Sequence, residues 1–141
     1  VDQKGAFAYR VPETLDDETK VEKLWQSKPP SDRYYATPVV HGGLLFAINQ
    51  RGAFSVIDIA DGTVVATRKL NLRGTMYPSI ALAGGNLYVS DDQGTTLVLK
   101  PGREYVEIAS NSLEPFRSTP VFAGGRIYIR TLKNLYCIGT D

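Results

Sequence analysis

Apolar residues along this chain cluster in short runs of about five, such as residues 44–48, 86–90 and 126–130, each closed by polar or glycine-containing stretches. That spacing belongs to short strands bounded by turns, and no segment sustains the three-and-four spacing of a long amphipathic helix. One segment recurs three times: TPVVHGGLLFAI at 37–48, YPSIALAGGNLYV at 77–89 and TPVFAGGRIYI at 119–129. Its prolines stand at positions 38, 78 and 120, a period of about 40 residues, which is the length of one β-propeller blade. The middle copy has two extra residues before its Gly-Gly pair.

Each repeat reads as four strands. Strand A follows the proline, whose missing N–H is tolerated at the start of a strand. Gly42-Gly43, Gly84-Gly85 and Gly124-Gly125 predict tight A-to-B hairpins, because such turns need a positive φ at which a Cβ clashes. Strand B is expected at 44–48, 86–90 and 126–130, and polar tips follow at 49–52, 91–94 and 131–134. Strand C is expected at 54–59, 96–100 and 135–138, and strand D at 63–70 and 105–110 after the Asp61-Gly62 and Pro101-Gly102 turns. Two further runs, 6–11 and 21–26, read as strands C and D of an earlier blade, joined by the acidic connection 12–20 with Glu13, Asp16, Asp17 and Glu18.

The expected fold is therefore all-β, a partial β-propeller ring of four-stranded antiparallel blades with about three blades present. Residues 1–141 form a single partial domain: 1–35 the end of a blade, 36–76 and 77–117 two blades, and 118–141 an incomplete one. Propeller rings typically close with about 4 to 8 blades. The chain is expected either to be the C-terminal part of a larger propeller or to close by association, with other copies or with a missing segment.

The 37–48 segment and the run FSVIDIADGTVV at 54–65 resemble the pyrroloquinoline-quinone-like (PQQ-like) propeller repeat, and the resemblance covers nearly the whole chain. That family includes quinoprotein alcohol dehydrogenases and the propeller lipoprotein of the outer-membrane β-barrel assembly machinery, which implies a periplasmic or secreted bacterial setting. The resemblance also implies a strand D tryptophan docking onto the next blade. Only Leu24-Trp25 retains it, with Ala66 and Val106 expected at the comparable places in the two full repeats. Quinoprotein members hold the quinone against a tryptophan and often an adjacent-cysteine disulfide, with calcium beside it. A chain with one Trp and one Cys supplies no such sandwich, so no cofactor is expected within it.

Composition narrows the functions further. With sixteen basic and fifteen acidic residues interspersed, the chain has a net charge of +1 and no concentrated basic stripe for nucleic acid. No apolar run approaches the ~20 residues of a membrane-spanning helix. Cys137 stands alone, so there is no internal disulfide. The chain begins at Val1, with a removed leader and a cut from a longer sequence left as alternatives.

Candidate chemistry is sparse. Asp91-Asp92 and Asp58 with Asp61 are conceivable calcium carboxylates, but all sit at hairpin turns where Asp caps backbone amides. His41, the single histidine, precedes Gly42-Gly43 at a hairpin tip, a poor place to build a catalytic triad. No catalytic or metal residue is expected. The informative positions are the D-to-A connections at 28–36, 71–76 and 111–118, which must emerge on one face. Each pairs an arginine with aromatic or large apolar residues: Arg33 with Tyr34 and Tyr35, Arg73 with Met76 and Tyr77, and Arg117 with Phe116. Arginine and aromatics on rigidly mounted loops are the composition of interface anchors. The expectation is a non-catalytic scaffold binding a protein or peptide through Arg33, Tyr34, Tyr35, Arg73, Tyr77, Phe116 and Arg117. Its alternative is the C-terminal part of a PQQ-dependent quinoprotein dehydrogenase whose quinone and calcium site lies in missing blades.

Overall fold

Thirteen strands and no helix make up the computed structural model, which describes residues 5–14 and 20–139. Asp16, Asp17 and Glu18 of the acidic connection lie outside the described residues. Strands β1 (Ala6–Arg10) and β2 (Glu22–Ser27) form a two-stranded sheet, here blade 1. Blade 2 is a four-stranded sheet of β3 (Val39–His41), β4 (Leu44–Ile48), β5 (Ala53–Asp58) and β6 (Val64–Lys69). Blade 3 repeats it with β7 (Ala81–Ala83), β8 (Asn86–Ser90), β9 (Thr95–Lys100) and β10 (Val106–Ser112). The three strands β11 (Val121–Ala123), β12 (Arg126–Arg130) and β13 (Leu135–Ile138) form blade 4. Every pairing is antiparallel between sequence neighbours, so each sheet is a meander, with strands A to D in order in blades 2 and 3 and A to C in blade 4.

The turn chemistry fixes this pattern. His41 pairs with Leu44 across Gly42 (φ 58°) and Gly43 (φ 75°), a two-residue hairpin with both central residues in the left-handed region. Gly84-Gly85 and Gly124-Gly125 adopt the same values within a few degrees, which sets β4, β8 and β12 at the positions expected from the repeat.

Packing runs between sheets. Residues two apart on a strand share a face, so Leu44, Phe46 and Ile48 of β4 meet Leu87 and Val89 of β8 and Leu97 and Leu99 of β9 in one buried cluster. Phe54, Val56, Leu70, Leu72, Met76 and Ile80 complete it. Each such fully buried side chain contributes about 1.5–3 kcal/mol relative to leaving it in water. Blade 3 presents its other face to blade 4, where the Tyr88 and Phe122 rings lie 4.4 Å apart. A blade covered on both sides needs apolar residues on both faces of its middle strands, which explains why β4 and β8 read as runs rather than as alternations.

A β-bulge recurs at the same place in three C–D pairs: Ala8 faces Trp25, Val56 faces Ala66 and Val98 faces Ala109, with Leu24, Val65 and Ile108 as the extra residues. This register confirms Ala66 as the counterpart of Trp25 but replaces Val106 with Ala109. Val106 starts β10, two residues before the bulge residue Ile108, and is 44% exposed. Trp25 docks onto the next blade as expected: its Nε1 donates to the Ile59 carbonyl at 2.7 Å, and its ring covers Gly62.

Candidate interaction face

In a meander, the B-to-C turns and the D-to-A connections emerge at one end of each blade, and the Gly-Gly hairpins at the other. The B-to-C turns are built alike. Asn49 Oδ1 accepts the N–H groups of Arg51 (3.1 Å) and Ala53 (2.9 Å). Asp91 Oδ1 accepts those of Gln93 (3.1 Å) and Thr95 (2.9 Å). Thr131 Oγ1 accepts those of Lys133 (3.3 Å) and Asn134 (2.9 Å). All three side chains are buried, as polar groups saturated by backbone donors can be.

Asp91 does more than cap its own turn. Its Oδ2 accepts the N–H groups of Arg73 and Gly74, each at 3.0 Å, and Asp92 Oδ1 accepts that of Thr75 at 3.0 Å. Two adjacent carboxylates of blade 3 thus clamp the loop arriving from blade 2. Four backbone donors converge on Asp91, which builds its own turn and holds the arriving loop. Asp58 caps the Ala60 N–H and pairs with Arg103, and Asp61 caps the Thr63 N–H, at the opposite end. His41 is exposed, next to its hairpin on that same opposite end.

On this framework the D-to-A loops assemble a ladder. The Tyr35 and Tyr77 rings, from successive loops, stack with centroids 5.0 Å apart and planes 17° from parallel. The Arg117 guanidinium, from the third loop, sits 4.7 Å above the Tyr77 ring. At the other end Arg33 Nη1 lies 3.5 Å from the Tyr35 hydroxyl. Tyr35 is 43% and Tyr77 38% exposed, so a row of guanidinium, phenol, phenol and guanidinium lies open to solvent. Stacking and cation–π contact each add about 0.5–1.5 kcal/mol of mutual support, which offsets part of the entropy cost of ordering these long side chains before anything binds.

Not every expected residue joins the ladder. Phe116 is 1% exposed and belongs to the interior beneath the loop, because its neighbour Arg117 takes the outward position. Tyr34 is half-buried, its hydroxyl donating to the Pro30 carbonyl at 2.8 Å, and burial pushes its ionisation up. Arg73 instead lines a neighbouring cleft of about 440 Å³ between blades 2 and 3, together with Gln50, Arg51, Lys69 and Asp92. Of these, the sequence singles out Asp92 alone, as a conceivable calcium carboxylate, and not Gln50, Arg51 or Lys69. The meander rule was the available signal, since it places their turns at the same end as the D-to-A loops.

Repeated four-stranded meanders docked face to face, one by a strand D tryptophan, define a β-propeller of the PQQ-like repeat class. A sequence model of the family described as outer membrane protein assembly factor BamB matches residues 22–101 and 55–139, and the chain belongs to that family. No curated protein sequence matches. Among solved structures, the chain is similar to BamB from Moraxella catarrhalis, with a TM-score of 0.61 and 16% identity over 76% of this chain and 37% of that one. It is also similar to the quinohemoprotein alcohol dehydrogenase ADHIIG from Pseudomonas putida HK5, with a TM-score of 0.58 and 16% identity over 75% of this chain and 18% of that one. At such identity the likeness is one of fold. The chain spans little more than a third of the first relative and less than a fifth of the second.

Proposed function

We propose that this chain is a non-catalytic propeller scaffold that binds a protein or peptide partner through its loop end, in an extracytoplasmic bacterial setting. The observation that carries the reading is the exposed Arg33, Tyr35, Tyr77 and Arg117 ladder, preassembled from three successive loops. Rigid aromatic and arginine anchors contribute disproportionately to binding because little side-chain freedom is lost on contact. The description of the family as an outer membrane protein assembly factor supports a protein partner and an extracytoplasmic place. Among the described residues no helix is long and apolar enough to cross a membrane.

The dehydrogenase alternative finds little in these residues. The one tryptophan is committed to blade docking through Ile59 and Gly62, and the one cysteine, Cys137, has no neighbouring thiol. The side chains of this chain therefore do not fit a quinone sandwich, and such a site requires other blades.

Selection from a displayed random peptide library tests the proposal. Enriched peptides are expected whose binding falls at least about tenfold when Tyr35 and Tyr77 are both changed to Ala, the loss of two aromatic anchors. Absence of enrichment, or binding indifferent to both changes, overturns it.

A further inference from the structure

Carboxylates at the loop end are turned inward onto the chain itself. Asp91 takes four backbone N–H groups, and Asp92 Oδ1 takes the Thr75 N–H and the Gln93 side-chain amide. Asp32 takes the Arg33 N–H and the Gln50 amide, chiefly the first of which holds its ionisation below the usual carboxylate range. Glu114 is bound by Thr131 and by Asn134. The cations point the other way. Arg51, Lys69 and Arg73 are all exposed around the cleft between blades 2 and 3. Arg51 has one partner, Asp32, at 3.1 Å. Among the described residues Lys69 and Arg73 form no ion pair. A chain of net charge +1 thus presents a locally cationic recess beside its aromatic ladder.

The loop that carries Arg73 is held rigidly. Added at Gly74, a Cβ would stand 2.3 Å from Asp92 Oδ1, so this backbone approaches the clamp as closely as a glycine permits. The clamp also selects the ligand. Phosphate sites are commonly lined by successive backbone N–H groups, but those of Arg73, Gly74 and Thr75 are already filled by Asp91 and Asp92. Asp92 also lines the cleft, but its Oδ2 lies 3.7 Å from Arg117, so Lys69 and Arg73 are the charged side chains there that form no ion pair among the described residues, an arrangement suited to a planar carboxylate gripped by a guanidinium with an ammonium beside it.

Resting on the scaffold reading, we propose that this cleft is a carboxylate subsite: an acidic segment of the bound peptide places an Asp or Glu side chain between Lys69 and Arg73 while its flanking residues lie along Tyr35 and Tyr77. The volume of about 440 Å³ admits such a side chain with its neighbouring backbone.

Fluorescence anisotropy with a labelled oligoglutamate peptide, matched against oligoglutamine, tests this on the intact chain. Oligoglutamate should bind with an affinity that falls as salt rises, and oligoglutamine should not bind. The double variant Lys69→Ala/Arg73→Ala should lose about tenfold or more in affinity, as expected when two charge-assisted contacts disappear. Lys100→Ala/Arg126→Ala, two exposed cations at the opposite end, should leave the affinity unchanged. Equal binding of both peptides, an unaffected Lys69→Ala/Arg73→Ala variant, or displacement of oligoglutamate by equimolar inorganic phosphate overturns the subsite. Library peptides that still require Tyr35 and Tyr77 would leave the scaffold reading standing in that event, so the two can fail separately.

Discussion

Two blade junctions solve one problem by different means. Where blade 1 meets blade 2, a single indole does much of the joining: Trp25 covers Gly62 and donates to the Ile59 carbonyl. Where blade 2 meets blade 3, Ala66 stands at the tryptophan's place, and a broad apolar cluster from β4, β5, β8 and β9 carries the contact. Polar links fasten its margins: the Asp91 and Asp92 clamp at the loop end, the Arg103–Asp58 ion pair at the hairpin end, and the Arg68 guanidinium 4.3 Å above the Tyr105 ring. The difference follows from side-chain size at one position. An indole reaches the neighbouring blade by itself, whereas an alanine methyl does not, so at the second junction the facing middle strands and the polar links carry the contact. On the described strands of blade 1, Phe7, Tyr9 and Leu24 are open to solvent.

This contrast predicts a graded set of losses. The largest is expected at the second junction from Asp91→Ala, which orphans four backbone donors and releases the loop between blades. A cost of about 3 kcal/mol or more is expected, at about 1–3 kcal/mol for each buried group left unsatisfied. Urea unfolding should show a lower midpoint, and the loop-end ladder should lose its order with it.

A smaller effect belongs to the first junction. At Gly62, φ is 79° and an added Cβ would stand 2.6 Å from the Trp25 ring, whereas at the equivalent Gly102 nothing lies within 4 Å. Gly62→Ala should cost about 2 kcal/mol, combining left-handed strain with overpacking, and Gly102→Ala should be within about 0.5 kcal/mol of neutral. Thermal melts of the pair check this. Hydrogen exchange should show Gly62→Ala loosening β1 and β2 while β8 and β9 stay protected.

The smallest effect is a pH dependence. Tyr105 is pushed up to about 12, first by burial and then by donating its hydroxyl to Glu107. An unfolded tyrosine ionises near pH 10. Below that both states are neutral and the contribution is fully present; between about 10 and 12 the unfolded chain loses the proton first, so stability declines as pH rises. Tyr105→Phe should remove this part of the alkaline decline in parallel urea titrations.

Much of this architecture was legible because its signals are local. The Gly-Gly pairs admit one kind of hairpin, so β4, β8 and β12 were placed to the residue. The docking position in blade 3 was not, because nothing in the sequence around Ile108 announces a bulge, and counting from the turn leads to Val106 instead of Ala109. At the loop end, residue types pointed to the right connections but not to side-chain direction. Tyr34 and Tyr35 are adjacent, yet one turns in to Pro30 and the other out to Tyr77. Irregular backbone carries no periodicity from which to read that choice. The cleft of Lys69 and Arg73 was hidden for another reason: it exists only once two blades are docked.

Binding through the loop end can be read residue by residue by titrating the isotopically labelled chain with a library-selected peptide and following backbone amide shifts. The largest shifts are expected at Arg33, Tyr35, Arg73, Tyr77 and Arg117. Shifts confined to the Gly-Gly hairpins at 42–43, 84–85 and 124–125, on the opposite end, would contradict it.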